Sequence, residues 1–207
     1  MKAVLFDLDG VLVDACEWHY ESLNKALKEV AGKVIDRESH VEKFNGLPTK
    51  VKLKMLGFDE SETKKIEDLK QKYTIATIVE KAKIDPEKQE LLQFLKSKGY
   101  KIACVTNSIR STAELMLKST GQIHYFDILV TNEDVKNNKP HPDCYDLAID
   151  KLGCDPEHTL CVEDSEKGIA SATASRASHL WKVTGTSDVN LNNFLRFLHE
   201  NFDTDGR

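Results

Sequence analysis

Short apolar runs separated by helical patterns constrain the fold of this chain more than any other feature. Five runs of four or five residues lack polar alternation, as expected of strands buried on both faces of a sheet. They occupy residues 3–6, 102–106, 128–131, 159–163 and 179–183. Amphipathic stretches lie between the later runs. Strands that alternate with helices of this length predict βαβ units and a parallel sheet.

Helix boundary signals mark the stretches between these runs. Asp85 is followed by a proline and an acid, which is typical of a helix start, and Gly99 ends this helix. Ser111 and Glu114 have the spacing of a capping box for the next helix. A third helix is predicted over residues 142–152.

The segment of residues 14–84 breaks the alternation, because it contains helical patterns and no convincing strand. Helices are predicted over residues 17–30 and 49–56, and Asp59 with Glu62 forms a capping box for a long helix. A helical module is therefore inserted after the first strand. We expect a core of residues 1–13 and 85–207 and a helical unit of residues 14–84.

Composition narrows the class of protein. The chain has 207 residues, of which 40% are hydrophobic and 30% charged, as in soluble globular proteins. The net charge of −5 disfavours a nucleic-acid-binding surface. No apolar stretch approaches the roughly 18 residues of a membrane span, and the apolar run at the start is too short for a signal peptide. Five cysteines without a zinc spacing predict reduced thiols and a cytoplasmic location.

Asp7 and Asp9 follow the first predicted strand. Residues two apart on a strand project to the same side, so both carboxylates are expected at the carboxyl edge of the sheet, where open α/β folds bind ligands. Two crowded carboxylates require a cation between them or a proton on one. Gly10 lets the backbone pass close to a bound anion. By itself, the pattern equally fits a polar strand end with a turn.

Two further motifs offer phosphate-binding groups. Thr106, Asn107 and Ser108 follow the second predicted strand, where hydroxyl and backbone N–H groups at a strand-to-helix turn hold phosphate oxygens. A plain helix cap by Ser108 is the alternative. Lys139 precedes Pro140, which fixes a positive charge beside a helix start, although a lone Lys-Pro is more typical of a solvated loop.

Glu163 and Asp164 stand at the end of the fourth predicted strand. Two adjacent acids in this position suit a hard cation with oxygen ligands, and an acidic helix cap is the alternative. Each motif alone is a weak signal, but each occurs near the carboxyl end of a predicted strand. We therefore expect them to form one site.

In this order the motifs resemble those of the haloacid dehalogenase-like (HAD) superfamily, in particular subfamily I with a C1 helical cap, which includes β-phosphoglucomutase and phosphoglycolate phosphatase. The matching stretches are FDLDGVLVD (6–14), VTNS (105–108), KPHPD (139–143) and VEDSEKGI (162–169). The resemblance covers essentially the whole chain. It implies an α/β fold with a Rossmann-like three-layer parallel-sheet core and an inserted α-helical cap.

The resemblance also implies catalytic roles. Asp7 is expected to attack phosphorus and become an aspartyl phosphate. Asp9 is expected to protonate the leaving oxygen and then to activate water. For this step Asp9 must be protonated when substrate binds, a state that its crowded setting is expected to favour.

The resemblance further implies a Mg²⁺ ion and a phosphate site. The ion is expected on the carboxylates of Asp7 and Asp164 and the backbone carbonyl of Asp9, with Glu163 acting through water. Phosphate oxygens are expected to contact a set of side chains and backbone N–H groups. These belong to Thr106, Lys139, Leu8 and Gly10, with Asn107 as a weaker candidate.

Cap residues are harder to assign. His19 is similar to a histidine of β-phosphoglucomutase that helps to shuttle the acid, and a partly buried histidine on the first cap helix is the alternative. Phosphomutase relatives carry a cap-loop arginine for a second phosphate, and Thr49 stands at the matching position. Lys50 is the nearest substitute but lacks the bidentate fork. Lys50, Lys52 and Lys72 attract an anionic substrate if they face the cleft, and otherwise form a solvated face.

One departure from the family concerns stability. Relatives usually place a glycine where Arg176 stands, at a helix end that favours a positive φ. We therefore expect Arg176 to cost about 1 kcal/mol.

These observations predict a Mg²⁺-dependent phosphatase that hydrolyses a small phosphomonoester, such as a sugar phosphate or similar metabolite, through an aspartyl phosphate. The resemblance also implies that Asp9, an acid two residues after the expected nucleophile, goes with phosphatases and phosphomutases and disfavours dehalogenase and phosphonate-cleaving activities. The alternatives are a β-phosphoglucomutase-like phosphomutase and a non-catalytic binding protein. The expected partner is a small phosphorylated metabolite, with no nucleic acid and no membrane, and the expected state is a monomer or weak dimer.

Overall fold

A five-stranded parallel sheet lies at the centre of the computed structural model, which describes residues 1–44 and 47–202. The strands are β1 (Ala3–Phe6), β2 (Lys101–Val105), β3 (Ile128–Val130), β4 (Thr159–Glu163) and β5 (His179–Lys182). Their order is β3-β2-β1-β4-β5, and each pairing is parallel. Phe6 at the end of β1 lies level with Cys104 and Val162. The polar residues that follow β1, β2 and β4 therefore meet at one edge.

The predicted strands are all present, with ends shifted by at most one residue. Helices separate them as predicted. The helices are α1 (Cys16–Ala31), α2 (Arg37–Ser39), α3 (Thr49–Met55), α4 (Glu60–Lys81), α5 (Pro86–Ser97), α6 (Arg110–Ser119), α7 (Asp143–Leu152), α8 (Glu166–Ala174) and α9 (Leu191–Phe202), with a π-helical turn (His40–Phe44) after α2.

Two apolar clusters cover the two faces of the sheet. On one face, Val4 and Phe6 contribute to a cluster with residues of α5, α6 and α9. On the other face, Ala3 and Leu5 join residues of α7 and α8. Alternate residues of β1 thus serve opposite layers, as strand geometry requires. The predicted α/β, Rossmann-like three-layer fold is confirmed.

The helical segment between β1 and α5 has an apolar cluster of its own. This cluster contains Leu23 and Leu27 of α1, Leu53 of α3 and Ile66 of α4. Ile78, near the end of α4, instead belongs to a sheet cluster. The described parts of residues 14–84 contain no strand. The division into a core of residues 1–13 and 85–207 and a cap of residues 14–84 stays a prediction, which the separate cluster supports.

Helix starts agree with the sequence at two of three sites. Asp59 and Glu62 form the predicted capping box of α4, and the Asp85 side chain accepts hydrogen bonds at the start of α5. The predicted box of Ser111 and Glu114 is wrong. Helix α6 begins at Arg110, two residues earlier than a cap at Ser111 requires, and the Arg110 backbone N–H donates to Glu133 Oε2 at 2.6 Å.

The expected strain at Arg176 is also wrong. Helix α8 ends at Ala174, the following Ser175 is extended, and no non-glycine residue in the described chain has a positive φ. The Arg176 side chain instead pairs with Asp146 and Asp150 of α7. Within the described ranges, no helix is both long and apolar enough to cross a membrane.

Candidate active site

Lys139 joins the polar residues at the carboxyl edge of the sheet. Its Nζ donates to Asp7 Oδ1 at 2.7 Å, Glu163 Oε1 at 2.6 Å and the Val105 carbonyl at 2.8 Å. Tyr145 Oη, on α7, lies 3.1 Å from the same Nζ and donates to Glu163 Oε1 at 2.5 Å. The lysine is thereby held between the residue that follows β1 and the last residue of β4.

Opposing effects set the ionisation of the buried pair of Lys139 and Asp7. Burial alone would lower the pKa of Lys139, but the carboxylates of Asp7 and Glu163 raise it well above its usual value. Lys139 therefore stays charged. Burial raises the pKa of Asp7, and nearby carboxylates add to this, while Lys139 opposes it. Asp7 thus lies in a setting that favours an additional cation.

Asp9 belongs to a second network, which joins the sheet to the cap. Its Oδ1 lies 2.9 Å from His19 Nε2 on α1, and Ser108 Oγ donates to its Oδ2 at 2.9 Å. Thr106 Oγ1 lies 3.4 Å from the same Oδ2. Lys70 Nζ, on α4, contacts the other ring nitrogen of His19 at 3.2 Å. From the cap to the sheet, the network therefore runs from Lys70 through His19 and Asp9 to Ser108.

Crowding does not favour a protonated Asp9 in this structure, contrary to expectation. Burial would raise the pKa of Asp9, but His19 and Ser108 together lower it below its usual value. Burial and the charge of Lys70 in turn lower the pKa of His19. A neutral His19 imidazole therefore lies beside an ionised Asp9 carboxylate.

Asp7, Glu163 and Asp164 form a cluster of possible metal ligands. One carboxylate oxygen from each lies within 4.8 Å of the others. Asp164 Oδ1 and Glu163 Oε2 are buried and have no hydrogen-bond partner among the described residues. Burial, together with Glu163, raises the pKa of Asp164 to about 6. Unpaired carboxylate oxygens crowded in this way fit a hard divalent cation such as Mg²⁺.

Gly10 allows the β1 loop to approach this cluster. Its φ is +89°, and a Cβ atom at this position would lie 2.1 Å from Asp164 Oδ2. Its backbone N–H, predicted to hold phosphate, donates to the Val13 carbonyl at 2.8 Å in this structure. Leu8 is fully buried and belongs to an apolar cluster of the sheet, so its backbone contact with phosphate stays a prediction.

The remaining predicted residues fall into two groups. The Asn107 amide brackets the backbone of Lys139, accepting from its N–H at 3.1 Å and donating to its carbonyl at 3.2 Å. Asn107 therefore orients the lysine. Lys50 lines the cavity with an exposed side chain, whereas Lys72 is exposed and does not line it.

The sheet edge and the cap enclose a cavity of about 440 Å³. Asp7, Asp9, Thr106, Lys139 and Asp164 line it from the sheet, and His19, His40, Lys50, Lys52 and Lys70 line it from the cap. This volume suits a small molecule.

Sequence reasoning missed three residues of these networks. Ser108 is part of the VTNS motif, for which the sequence suggests phosphate binding or a plain helix cap, and neither predicts its hydrogen bond to Asp9. Tyr145 follows the KPHPD motif by two positions, and a tyrosine there reads as core. Lys70 lies in a lysine-rich helix, and only tertiary packing distinguishes it from its neighbours.

Comparison with known proteins supports the resemblance. The family described as Haloacid dehalogenase-like hydrolase matches residues 4–181. The phosphorylated carbohydrates phosphatase of Thermotoga maritima is 30% identical over 190 residues, 88% of this chain and 85% of that protein. Pyrophosphatase PpaX of Oceanobacillus iheyensis is 28% identical over 205 residues, which are 98% of this chain and 91% of that protein. The solved β-phosphoglucomutase from Clostridium difficile has a TM-score of 0.80 at 25% identity, covering 97% of this chain and 98% of that chain.

The fold and the strand-end motifs define an α/β protein with a carboxylate-rich site at one edge of its sheet, and the family match and the relatives make it an enzyme. The chain belongs to the haloacid dehalogenase-like hydrolase family. It is a phosphatase of that family, a phosphoric monoester hydrolase acting on a phosphorylated substrate.

Proposed function

We propose that this phosphatase hydrolyses a small phosphomonoester, such as a sugar phosphate or similar metabolite, with Mg²⁺ and through an aspartyl phosphate on Asp7. One observation carries the proposal. The Asp7 carboxylate lines the cavity with Asp9 and is bound by Lys139 at 2.7 Å. A nucleophile, a second carboxylate and a fixed cation thus share one space of small-molecule size.

Asp7 and Asp9 have different roles in each of the two chemical steps. An Asp7 oxygen forms a bond to phosphorus while the ester P–O bond breaks, and Asp9 gives its proton to the leaving oxygen. In the second step Asp9 takes a proton from water, whose oxygen attacks phosphorus and releases phosphate from Asp7. Since the pKa of Asp9 is low in this structure, the negative charge of the arriving phosphate is what raises it.

Other residues of the chain bind and orient the reacting groups. Bound Mg²⁺ would neutralise charge on the phosphoryl oxygens. The carboxylates of Asp7 and Asp164 and the Asp9 carbonyl would hold it, with Glu163 acting through water while also fixing Lys139. Phosphate oxygens are assigned to the Thr106 hydroxyl, Lys139 and the loop N–H groups of Leu8 and Gly10, the last once its bond to Val13 opens.

We assign two roles to the cap, residues 14–84. It excludes water from the site and selects the leaving group. Its His19 orients Asp9, which the 2.9 Å contact supports. Lys50 is assigned to the entrance. Asn107, which lines the cavity, is a weaker candidate for a phosphate contact and also positions the backbone of Lys139.

A phosphomutase has weaker support than a phosphatase. Among the described residues that line the cavity there is no arginine to grip a second phosphate bidentately. Asp7, Asp9, Lys139 and Asp164 are all in place, so a purely binding role has little support. We place the enzyme in the cytoplasm on its five free cysteines, and its state as a monomer or weak dimer stays a prediction.

Phosphate release tests the proposal. Sugar, nucleotide and small-acid phosphomonoesters are assayed with Mg²⁺ and after chelation, using wild type and Asp7→Asn. Asp14→Asn is the matched control, because Asp14 is an exposed carboxylate outside the cavity. We expect release that requires Mg²⁺, is lost in Asp7→Asn and persists in Asp14→Asn. Trapped ³²P on wild type but not on Asp7→Asn would support the intermediate. No release from any ester would refute the proposal.

A further inference from the structure

Tyr145, on α7, is a fully buried tyrosine whose hydroxyl reaches the polar residues at the sheet edge. Its ring belongs to the apolar cluster that Ala3 and Leu5 join on one face of the sheet. Its Oη donates to Glu163 Oε1 at 2.5 Å and lies 3.1 Å from Lys139 Nζ. Tyr145 does not line the cavity, so it does not touch a substrate bound there. Any effect of its hydroxyl on the reaction must pass through Glu163 or Lys139.

The chemistry of these three side chains fixes the direction of their hydrogen bonds. An ammonium only donates and an ionised carboxylate only accepts, whereas a phenol does both. Tyr145 therefore accepts from Lys139 and gives its own proton to Glu163. Lys139 Nζ carries three protons but contacts oxygen atoms of Asp7, Val105, Tyr145 and Glu163. Because these contacts cannot all have a lysine proton of their own, the Tyr145 proton adds a bond to Glu163 that Lys139 cannot fully supply.

The two oxygen atoms of the Glu163 carboxylate lie in different surroundings. Oε1 accepts from Lys139 at 2.6 Å and from Tyr145 at 2.5 Å. Oε2 is buried and has no hydrogen-bond partner within the part of the chain that the structure describes. Glu163 also offers one oxygen to the cluster of possible metal ligands with Asp7 and Asp164. Since Oε1 already has two donors, Oε2 is the oxygen left for a cation or for water bound to it.

Gly168, on α8, brings the helix backbone directly against the same carboxylate. A Cβ atom at this position would lie 2.0 Å from Glu163 Oε2 and 2.2 Å from Glu163 Oε1. The carboxylate is therefore confined by the backbone of α8 as well as by its two hydrogen-bond donors. This confinement restricts the movement of Oε2 without giving it a hydrogen-bond partner.

We infer that Tyr145 is a positioning residue for the metal site. Its hydroxyl holds Glu163 Oε1 and thereby leaves Oε2 to a divalent cation or to water on that cation. This inference rests on the Mg²⁺ ion of the proposed function and adds a residue that acts on the ion only through Glu163. Groups that orient a metal ligand in this way contribute to the affinity for the metal, because the ligand is ordered before the ion binds.

Tyr145→Phe tests this role, because it removes the hydroxyl and keeps the ring in the apolar cluster. Tyr100→Phe is the matched control, since Tyr100 packs against the apolar cluster on the other face of the sheet and lies outside the cavity. Calorimetry measures the affinity of each ligand-free protein for Mg²⁺. This first measurement does not depend on turnover.

We expect Tyr145→Phe to weaken Mg²⁺ binding by about 10- to 100-fold, as is usual when a group that orients a metal ligand is lost. In assays of phosphate release, the Mg²⁺ concentration that gives half of the maximal rate should rise by a similar factor. At saturating Mg²⁺, kcat and the KM for the ester should stay within about threefold of the wild-type values. Tyr100→Phe should leave the Mg²⁺ affinity unchanged. A lower Tm of Tyr145→Phe with unchanged Mg²⁺ affinity would mean a purely structural role and would overturn the inference.

A double variant shows whether Tyr145 acts through Glu163. Glu163→Gln alters the ligand that Tyr145 positions, so adding Tyr145→Phe to it should cost little further Mg²⁺ affinity. Losses that add in full would overturn the inference, as would a wild-type protein that does not bind Mg²⁺. Weaker Mg²⁺ binding by Tyr145→Phe but not by Tyr100→Phe would support the inference even if no ester were hydrolysed, a result that would refute only the proposed function.

Discussion

Lys139 holds Asp7, the proposed nucleophile, in a network of several contacts. One ammonium contacts two carboxylates, a backbone carbonyl and a phenol, and Asn107 fixes the lysine backbone from the other side. Buried charges remain in a fold only when they are paired in this way. The same rule makes Lys52 unusual, since it is nearly as buried but unpaired.

Lys52 should reduce the stability of the ligand-free fold. Its pKa falls from 10.5 to about 8, mainly through burial, which corresponds to roughly 3 kcal/mol against the charged form. Lys52→Met should therefore increase the free energy of unfolding at pH 7, by up to about 3 kcal/mol. Denaturant unfolding of wild type and variant measures the difference.

The pH dependence of that gain has a definite sign. The groups that act on Lys52 include Lys70, Lys167, Asp9 and Cys16. A lysine with a lowered folded-state pKa costs stability fully below about 8, and the cost fades as pH rises towards 10.5. The gain from Lys52→Met should fade over this interval, whereas Lys54→Met, which replaces an exposed lysine on the same helix, should show no such gain. A gain that did not change with pH would mean improved packing and not removal of a charge.

At the residue scale, site residues that follow a strand could be predicted from the sequence. Site residues that are brought in by tertiary packing could not. Asp7, Thr106 and Glu163 follow or end apolar runs, so their proximity at the sheet edge was predictable. The contact of His19 with Asp9 depends on the relative placement of sheet and cap, and that of Lys70 with His19 depends on the packing of α4 against α1. Periodicity along one helix does not determine such contacts.

Helix α4 is an element that contacts both the cap cluster and the sheet. Its Ile66 packs in the cap cluster and its Ile78 in a sheet cluster. Between them, the Gln71 amide lies 2.9 and 3.1 Å from Thr112 Oγ1 on α6. Gln71 therefore joins the cap to the sheet domain beside the cavity, which both residues line.

Loss of this link should weaken the closed arrangement. Gln71→Leu removes hydrogen bonds worth about 1 kcal/mol and should raise KM roughly fivefold. The sheet domain itself does not depend on the link, so stability should change little. Steady-state kinetics and limited proteolysis at residues 82–85 measure the two effects.

A matched variant separates the link from a general loss of hydrogen bonding. Gln89 donates to the Thr120 carbonyl at 3.1 Å within the sheet domain, so Gln89→Leu breaks a comparable bond away from the cap. It should leave KM unchanged. An equal rise of KM in both variants, or none in Gln71→Leu, would show that this link does not hold the cap.

Element boundaries were predictable where the signal is local. The Asp59–Glu62 box involves only residues of one turn, and the structure confirms it. At α6, Glu133 from a distant loop accepts from Arg110, so the helix starts without the Ser111 box. A partner 23 positions away leaves no trace in local spacing.

Over the whole molecule, the parallel sheet concentrates charge at one edge. Asp7, Glu163 and Asp164 contribute three carboxylates, and Lys139 contributes one ammonium. With all four groups ionised, the net charge is −2, which one divalent cation would neutralise. Without a cation, mutual repulsion and unpaired oxygens reduce the stability of the fold.

Magnesium should therefore stabilise the entire fold as well as support turnover. At a concentration 100 times its Kd, an ion that binds only the folded state adds about 2.7 kcal/mol, which corresponds to about 5–10 °C in Tm for a chain of this size. Asp164→Asn removes a ligand and part of the repulsion. It should have a higher Tm than wild type in chelator and a much smaller shift with Mg²⁺. Asp14→Asn should keep the full shift. Thermal unfolding with Mg²⁺ or chelator measures these shifts in Tm. A shift in Asp164→Asn equal to that of wild type would mean that the ion binds elsewhere.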